Sequence, residues 1–249
     1  NNGRLFPLSL ASEGSCQIGG NLATNAGGLN VIKYGNVRDL CLGLEAVLPC
    51  GQIVSTMKPL KKNNMGFDLK NLLIGSEGTL GIITSTILKT FPIPKDPISI
   101  FLSINNLANV LFVFEKISRE FSERILAFEL IKMTSIDFIE ETGFTIKNPF
   151  NKKTNWKVLI EIDVNIGPIN LGEIIENTFY DLHLENKIVE VFFATNINQR
   201  NEFWKIRELI PAANRKKGSI CSNDISVPIE KIPEFIKKLD NSIYQFSKD

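Results

Sequence analysis

The chain has 249 residues, of which 43% are hydrophobic and 22% charged, a composition typical of a folded globular protein. Its 28 basic and 27 acidic residues give a formal net charge of +1, which argues against a nucleic-acid partner. No apolar run approaches the length of a membrane-spanning helix. The length allows one large domain or two of ordinary size, and either can bury a hydrophobic core.

Short strands separated by glycines are predicted over the first 95 residues. Residues 40–48 alternate loosely and end at the turn Pro49-Cys50-Gly51, and a second strand follows from Ile53, so these segments predict a hairpin. Further strands are predicted at residues 72–74 and 80–86. The segment Phe91-Pro92-Ile93-Pro94 stiffens the backbone and predicts a boundary between a domain of residues 1–95 and a domain of residues 96–249.

Strand and helix patterns alternate in the second of these ranges. Strands are predicted at residues 98–104, 126–131, 158–164 and 187–194. Helices are predicted at residues 107–121, 133–141, 171–182, 203–213 and 228–239, and residues 219–226 are predicted to be extended. This alternation predicts a layer of helices on a sheet, of the α+β or α/β class.

The four cysteines, Cys16, Cys41, Cys50 and Cys221, form no C-x-x-C pair and fit no zinc-binding spacing. We expect reduced thiols in a reducing compartment, mostly packed as small hydrophobic side chains. The sequence opens on Asn-Asn-Gly-Arg without a methionine, which indicates an internal piece of a longer protein.

Two glycine-rich segments, residues 18–28 and 74–84, are almost free of bulky side chains at their centres. Glycine lets the backbone itself approach a ligand, and a loop of exposed backbone N–H groups can cradle an anion. Neither segment matches G-x-G-x-x-G or the P-loop pattern, which argues against a nicotinamide-binding Rossmann unit and a P-loop kinase. Tight turns alone would also explain glycine clusters, so these residues predict a nucleotide-like pocket without naming its ligand.

The segments that carry a family resemblance follow one another along nearly the whole chain and are most specific in the first 95 residues. They are residues 6–10, 14–28, 33–39, 43–45, 65–69, 75–84, 127–130, 203–208 and 224–228. In order and spacing they resemble the FAD-linked D-2-hydroxyacid dehydrogenases, the D-2-hydroxyglutarate and D-lactate dehydrogenase type of the vanillyl-alcohol-oxidase superfamily. The resemblance implies an α+β protein with a PCMH-type FAD-binding subdomain followed by a ferredoxin-like α+β cap.

The resemblance implies that residues 1–95 are the C-terminal part of the FAD-binding domain and residues 96–249 an incomplete substrate cap. By position in the family's motifs, eleven residues are expected near non-covalent FAD. They are Gly19, Gly20, Asn21, Ala23, Thr24, Gly27, Gly28, Glu77, Gly78, Gly81 and Ile82. A carboxylate would repel the pyrophosphate, so Glu77 is expected to accept hydrogen bonds from nearby backbone or from the ribose.

The resemblance also implies that Arg207, in the segment Trp204-Lys205-Ile206-Arg207, binds the substrate carboxylate, because a planar guanidinium can bond both oxygens. The alternative is a surface arginine paired with a nearby acid. Ser222 stands where close relatives often have a lysine, and Pro211 stands where the dicarboxylate enzyme tends to have a threonine. The particular hydroxyacid therefore stays open, with lactate and glycolate among the candidates.

The one histidine, His183, falls on the polar side of a predicted helix and is expected at the surface. The family's G-H-x-G-D-G-N-x-H segment, which holds a divalent metal and the expected base, is not in the sequence, and neither is its first phosphate loop. We therefore expect a fragment truncated at both ends, without a catalytic residue or metal ligand of its own and inactive alone.

The chemistry implied by the resemblance is hydride transfer from the Cα of a small D-2-hydroxyacid to flavin N5, which gives the 2-oxoacid. A quinone, an electron-transferring flavoprotein or a cytochrome would then accept the electrons. A homodimer is left open, and the expected location is the cytoplasm, or the mitochondrion in a eukaryote. The alternatives are an FAD-dependent alcohol or sugar oxidase, an alkyl-glycerone-phosphate synthase, a non-catalytic flavin-binding subunit of a glycolate-type oxidase, and an interaction domain without flavin.

Overall fold

The computed structural model describes residues 3–60, 62–165 and 170–246. By its internal contacts the chain divides into two compact units, Asn1–Asp96 and Pro97–Asp249. Within the described residues, no helix has both the length and the apolar character needed to cross a membrane.

The first unit is built on a three-stranded antiparallel sheet with short helices packed against it. Its elements are β1 (Arg4–Leu5), α1 (Ile18–Ala23), α2 (Val31–Tyr34), α3 (Val37–Leu40), β2 (Cys41–Val47), β3 (Ile53–Ser55), α4 (Leu69–Leu73), β4 (Ile82–Leu88) and β5 (Phe91–Pro92). The strand order is β3-β2-β4, and β1 pairs separately with β5. Ala46 lies opposite Val54 on β3 and Ile83 on β4, so the predicted hairpin and the predicted strand after residue 80 are confirmed.

The core of this unit joins α1, α3 and α4 to one face of the sheet. Its buried side chains are Leu22, Val37, Cys41, Leu44, Ala46, Leu73 and Ile74. Each of the three short helices contributes one or two of them. Packing on the sheet therefore stabilises helices that would be too short to form alone.

The strand predicted at residues 72–74 is wrong, because these residues end helix α4. The carboxylate of Asp68 accepts a hydrogen bond from Asn71 N (3.4 Å) and so caps the first turn of the helix. Leu73 and Ile74 are buried, whereas Leu72 is 61% exposed, which is a helical and not an alternating pattern. Three consecutive apolar residues are too few to distinguish the two structures by periodicity.

The first glycine segment was expected to be a loop, but residues 18–23 form helix α1. Asn21 N bonds Gln17 O and Thr24 N bonds Gly20 O, both at 3.0 Å. Leu22 is fully buried against the sheet, and its packing offsets the low helix propensity of the two adjacent glycines. Some backbone N–H groups of this segment therefore donate hydrogen bonds within the helix.

The expected packing of the cysteines is also wrong for three of the four. All four thiols are free, as expected, but only Cys41 is buried, and Cys16, Cys50 and Cys221 are exposed. Cys41 begins a central strand, whereas the other three fall on loops, where no core is available to them. Position in the fold therefore overrides the usual preference of cysteine for the interior.

The second unit is a four-stranded antiparallel sheet flanked by helices. Its elements are β6 (Ile98–Ile104), α5 (Leu107–Phe121), β7 (Ile125–Lys132), α6 (Met133–Glu141), β8 (Trp156–Ile162), α7 (Leu171–Leu184), β9 (Glu190–Phe193), α8 (Ile197–Lys217) and α9 (Ile232–Phe246). The strand order β7-β8-β6-β9 and the two halves β6-α5-β7 and β8-α7-β9 define a ferredoxin-like topology. The predicted α+β class and ferredoxin-like cap are confirmed.

The two faces of this sheet differ in character. One face is entirely apolar and packs on α5 and α7 through residues such as Ile100, Ile160 and Phe179. The other face carries buried polar residues of β6 and β8 beside aromatic rings, and α8 packs on it with the rings of Phe203 and Phe101 5.4 Å apart. The polar face is the one that can carry chemistry.

Candidate functional site

The two glycine-rich segments of the first unit lie side by side. Gly75 N donates to Leu22 O (3.0 Å) and Glu77 N donates to Ala23 O (2.8 Å). On the other side of the contact, a Cβ built on Gly19 would come within 3.0 Å of Ile83 O. The structure thus brings together two segments that are more than fifty residues apart in the sequence.

Arg38 fixes this arrangement, and its role was not foreseen from the sequence. Its Nη1 donates to Asn71 O (2.6 Å) and its Nη2 to Ile74 O (2.7 Å), so it satisfies carbonyls at the C-terminal end of α4. The Arg38 N–H also donates to Asn25 Oδ1 (3.2 Å). No signal in the sequence pointed to this role, because Arg38 stands beside Asp39 in a short segment of mixed charged and apolar residues.

Two of the glycines are required by close backbone approaches. A Cβ on Gly28 would lie 1.9 Å from Ser9 O, and a Cβ on Gly81 would lie 2.7 Å from Val47 O. Real side chains do not come so close to a carbonyl oxygen. Gly81 is buried, and because glycine has no side chain, the segment before β4 can pack directly against β2.

The residues predicted to lie near a cofactor differ in exposure. Exposed are Gly20, Thr24, Gly27, Glu77, Gly78 and Ile82, and half-buried are Gly19, Asn21, Ala23 and Gly28. Two side chains already have partners: Asn21 Nδ2 donates to Cys16 Sγ (3.4 Å) and Thr24 Oγ1 donates to Gly20 O (3.1 Å). Contacts from this surface to a ligand would therefore come mainly from its backbone.

Glu77 sits at a turn with a positive φ of 51°. Its backbone N–H bonds Ala23 O, and its exposed carboxylate takes no hydrogen bond and forms no ion pair within the described residues. The carboxylate is therefore available to a hydroxyl donor such as a ribose.

A flavin dinucleotide fits the chemistry of this surface. A Cβ on Gly20 or on Gly78 would meet no atom within 4 Å, so both glycines present bare backbone to open space. Ile82 beside them is 66% exposed and offers an apolar surface. Bare backbone suits an anionic pyrophosphate, and a flat apolar surface suits an aromatic ring.

In the second unit, Arg207 lies on α8 and pairs with Glu129 of β7. Arg207 Nε donates to Glu129 Oε2 at 2.5 Å, and the side chains are 32% and 20% exposed. No other bond to the guanidinium comes from the described residues, so its Nη1–Nη2 edge is open to an anion. The ion pair with an acid, the alternative that the sequence allowed, is therefore present, and it leaves Nη1 and Nη2 without a partner among the described residues.

A more deeply buried carboxylate, Glu161 of β8, anchors the preceding turns of α8. Arg200 donates to both of its oxygens, at 2.6 and 3.1 Å, and Trp204 Nε1 donates to its Oε1 at 2.6 Å. Ser99 Oγ adds a fourth bond at 2.7 Å. Glu161 is only 5% exposed, and four hydrogen bonds satisfy a charge that would otherwise be costly to bury.

Lys157, on the same face of β8, is fully buried. Its Nζ bonds Thr154 Oγ1 (2.5 Å) and lies 4.4 Å from the ring centre of Phe150. Burial lowers the pKa of Lys157 below its ordinary value of 10.5, against the opposing influence of Glu190 and Asp137. The burial of Lys157 was not foreseen, because the residue stands at a polar position of a regular alternating strand.

No cluster of three or more histidine, cysteine or acidic residues that could hold a metal ion occurs in the part of the chain that the structure describes. His183 is exposed on α7, as predicted.

A glycine-lined surface on the first unit and a ferredoxin-like second unit together define the architecture of a flavin-linked oxidoreductase. The chain belongs to the family of FAD-linked oxidases. Residues 93–246 match the family model described as the C-terminal domain of FAD linked oxidases, and residues 1–57 match the model of an FAD binding domain.

Curated proteins similar to this chain include enzymes named D-2-hydroxyglutarate dehydrogenase. The chain is 36% identical over 238 residues to the mitochondrial D-2-hydroxyglutarate dehydrogenase of Arabidopsis thaliana, a match that covers 95% of the chain and 42% of that protein. It is 33% identical to the mitochondrial enzyme of the same name from Rattus norvegicus (93% and 43% covered). It is 34% identical to a D-2-hydroxyglutarate–pyruvate transhydrogenase of Saccharomyces cerevisiae (92% and 46% covered). The chain therefore spans less than half the length of these relatives.

Among solved structures, an alkyldihydroxyacetonephosphate synthase has a similar fold. Its TM-score is 0.60 at 21% identity, over 86% of this chain and 42% of that one. This likeness supports the PCMH-type fold and nothing about activity.

Proposed function

We propose that the complete protein oxidises a D-2-hydroxyacid to the 2-oxoacid with non-covalently bound FAD. The observation that carries the proposal is the open Nη1–Nη2 edge of Arg207, in a chain of the FAD-linked oxidase family. A planar pair of N–H donors matches the two oxygens of a carboxylate. The names of the relatives favour the same substrate class.

The first unit would hold the cofactor through the backbone of the two glycine-rich segments. Gly19, Gly20, Asn21, Ala23, Thr24, Gly27 and Gly28 would contribute from the first segment, and Glu77, Gly78, Gly81 and Ile82 from the second. Bound FAD supplies the hydride acceptor. Glu77 would accept a hydrogen bond from a ribose hydroxyl, since its carboxylate takes no other within the described residues. For the buried Gly81 we assign a packing role that shapes this surface.

The second unit would bind the substrate carboxylate at Arg207. Pro211, one turn later, has no N–H to donate to the Arg207 carbonyl and no hydroxyl for a second carboxylate. This position favours a smaller hydroxyacid such as lactate over 2-hydroxyglutarate. We assign no residue of this chain as the catalytic base or as a metal ligand, and a divalent metal would come from residues outside these 249.

The electron acceptor would be a quinone, an electron-transferring flavoprotein or a cytochrome, and a homodimer is the assembly to examine first. The expected location is the mitochondrion in a eukaryotic source, which the mitochondrial relatives of Arabidopsis thaliana and the rat support, and the cytoplasm otherwise.

The test is a visible spectrum of the complete gene product. Flavin bands that bleach with D-lactate or D-2-hydroxyglutarate, but not with the L enantiomers, are expected. Gly20→Ala separates cofactor binding from folding, because alanine stabilises a helix and meets no protein atom here. Its flavin content should fall while its thermal stability as apoprotein does not.

Two results would contradict the proposal and indicate a different function. Flavin bands that no hydroxyacid bleaches would indicate an alcohol or sugar oxidase, or a non-catalytic flavin-binding subunit. A folded complete protein that takes up no FAD on reconstitution would indicate an interaction domain.

A further inference from the structure

One face of helix α8 is bound to the sheet by hydrogen bonds from charged and polar groups as well as by apolar packing. Arg200, Trp204 and Arg207 are spaced by four and three residues, so they project from the same side of the helix. All three donate to carboxylates of the sheet, the first two to Glu161 and the third to Glu129. The orientation of Arg207 is therefore determined by two acids on neighbouring strands.

Glu161 fixes the helix itself. Because its two oxygens take three hydrogen bonds from Arg200 and Trp204, α8 cannot slide or rotate without breaking charge-assisted bonds in a buried site. Phe203 and Ile206, both buried, hold the same stretch by apolar packing. The backbone at Arg207 is consequently rigid, and only its long side chain keeps freedom of movement.

Glu129 removes that remaining freedom. On the sheet, Ala127 of β7 lies opposite Glu161 and Glu129 lies opposite Leu159, so the second acid is displaced by two residues along the strands, toward the next turn of α8. It bonds the guanidinium at Nε, which is the donor nearest to the aliphatic stem. A hydrogen bond at Nε restrains the rotation of the guanidinium about its stem and leaves Nη1 and Nη2 together as one edge.

We propose that Glu129 is a positioning residue that orients Arg207 so that its Nη1–Nη2 edge binds the substrate carboxylate. The inference rests on the proposed function and names a second residue in the same site. Without Glu129, the guanidinium would turn among several orientations, and a carboxylate would have to order it on binding. A purely structural ion pair between α8 and β7 is the competing explanation, and it predicts loss of stability without loss of carboxylate selectivity.

The experiment uses the FAD-loaded complete gene product and four variants: Glu129→Gln, Arg207→Ala, the double variant, and Glu141→Gln. Glu141 forms an exposed ion pair with Lys217, which lies on the same helix about three turns from Arg207. Glu141→Gln breaks this pair and serves as the control. Flavin bleaching is followed in stopped flow with whichever of D-lactate and D-2-hydroxyglutarate bleaches the parent faster. The neutral analogue is the same hydroxyacid with its 1-carboxyl group converted to a primary amide. Its binding is measured as inhibition of flavin bleaching.

Glu129→Gln should raise the half-saturating concentration of the hydroxyacid about tenfold, which corresponds to roughly 1.4 kcal/mol. The limiting rate of bleaching should change by less than about threefold, and inhibition by the amide should not change. In the Arg207→Ala background, Glu129→Gln should have no further effect, because two residues that act through one contact are not additive. Glu141→Gln should match the parent.

Equal weakening of the acid and the amide, or a Glu129→Gln effect that persists without Arg207, would overturn the inference and leave the proposed function standing. If Arg207→Ala bleaches like the parent, or if no hydroxyacid bleaches the parent, the proposed substrate site and this inference are both wrong. Should Glu129→Gln lose its flavin or unfold, Glu129→Asp keeps the charge and shortens the reach. The same selective loss, of smaller size, is expected from it.

Discussion

The two units present their candidate groups in opposite ways. In the first unit the surface is mainly backbone: glycines without a Cβ and carbonyl oxygens, with exposed apolar side chains such as Ile82 beside them. In the second unit it is side chains: Arg207 held by Glu129, beside the buried Glu161. A backbone surface is damaged by adding atoms, whereas a network of paired charges is damaged by removing them.

The largest expected effect comes from adding one methyl group to the first unit. In Gly28→Ala the new Cβ would meet Ser9 O at 1.9 Å. The position of a Cβ is set by its own backbone and Ser9 O is a backbone atom, so no side-chain rotation can relieve the clash. We expect a loss of roughly 3 kcal/mol or more in the free energy of unfolding, measured by urea denaturation of the complete protein. Gly20→Ala, whose Cβ meets nothing, is the matched control, and both variants are compared as apoproteins because either change can lower the stabilisation that bound FAD provides. Equal stability of the two variants would show that the close approach at Gly28 does not exist.

Removing a charge from the second unit should be nearly as severe. Glu161→Ala leaves Arg200 and Trp204 without their acceptor in a site that is 5% exposed. We expect a loss of about 3 kcal/mol, at the lower end for a broken buried pair because Arg200 is one-third exposed and can regain water.

Ser99→Ala is the control for Glu161, because it removes one of the four bonds and leaves the other three. Its cost should be about 1 kcal/mol. If Ser99→Ala were as harmful as Glu161→Ala, the anchoring of α8 would not be the source of the stability.

The same contrast explains what the sequence could predict. Glycine segments are contiguous, so residues 18–28 and 74–84 were recognisable as a candidate site before any fold was known. The partner of Arg207 was not, because Glu129 is 78 residues away and reaches it only through the register of β7 on β8. Arg38 escaped notice for a similar reason, since the carbonyls that it binds belong to α4, more than thirty residues later.

Secondary structure was likewise predicted correctly where a local sequence pattern decides it, and wrongly where a cap or tertiary packing decides it. The strands of the second unit were predicted from strand-like runs of six to eight residues, and β6 coincides with its prediction at both ends. Helix α4 was missed because an aspartate cap and one buried turn decide it. Helix α1 was missed because the packing of Leu22 decides it, and not the glycines that surround it.

A pH experiment can sharpen the comparison further, since none of the lysines that the structure describes in the first unit is buried, whereas Lys157 in the second unit is fully buried. Burial lowers its pKa in the folded state, so between that lowered value and 10.5 the unfolded chain binds more protons. The destabilisation is fully present below the lowered pKa and is relieved as pH rises through it.

The measurement is the free energy of unfolding of the parent relative to Lys157→Met, from neutral pH to about pH 10. The difference should move in favour of the parent as the pH rises. A flat difference would mean that Lys157 is solvated in the folded state and that the described burial is wrong.

The smallest effect is expected where a charged pair is exposed. Lys132 Nζ lies 3.0 Å from Asp240 on α9, and each side chain is about half exposed. Asp240→Asn should therefore cost no more than about 0.5 kcal/mol, and the difference should shrink in 0.5 M salt, because water and ions screen such a pair. A cost as large as that of Glu161→Ala would mean that this pair holds α9 in place by itself. Charge removal would then be equally harmful at the surface and beneath α8, and burial would not explain why Glu161 matters.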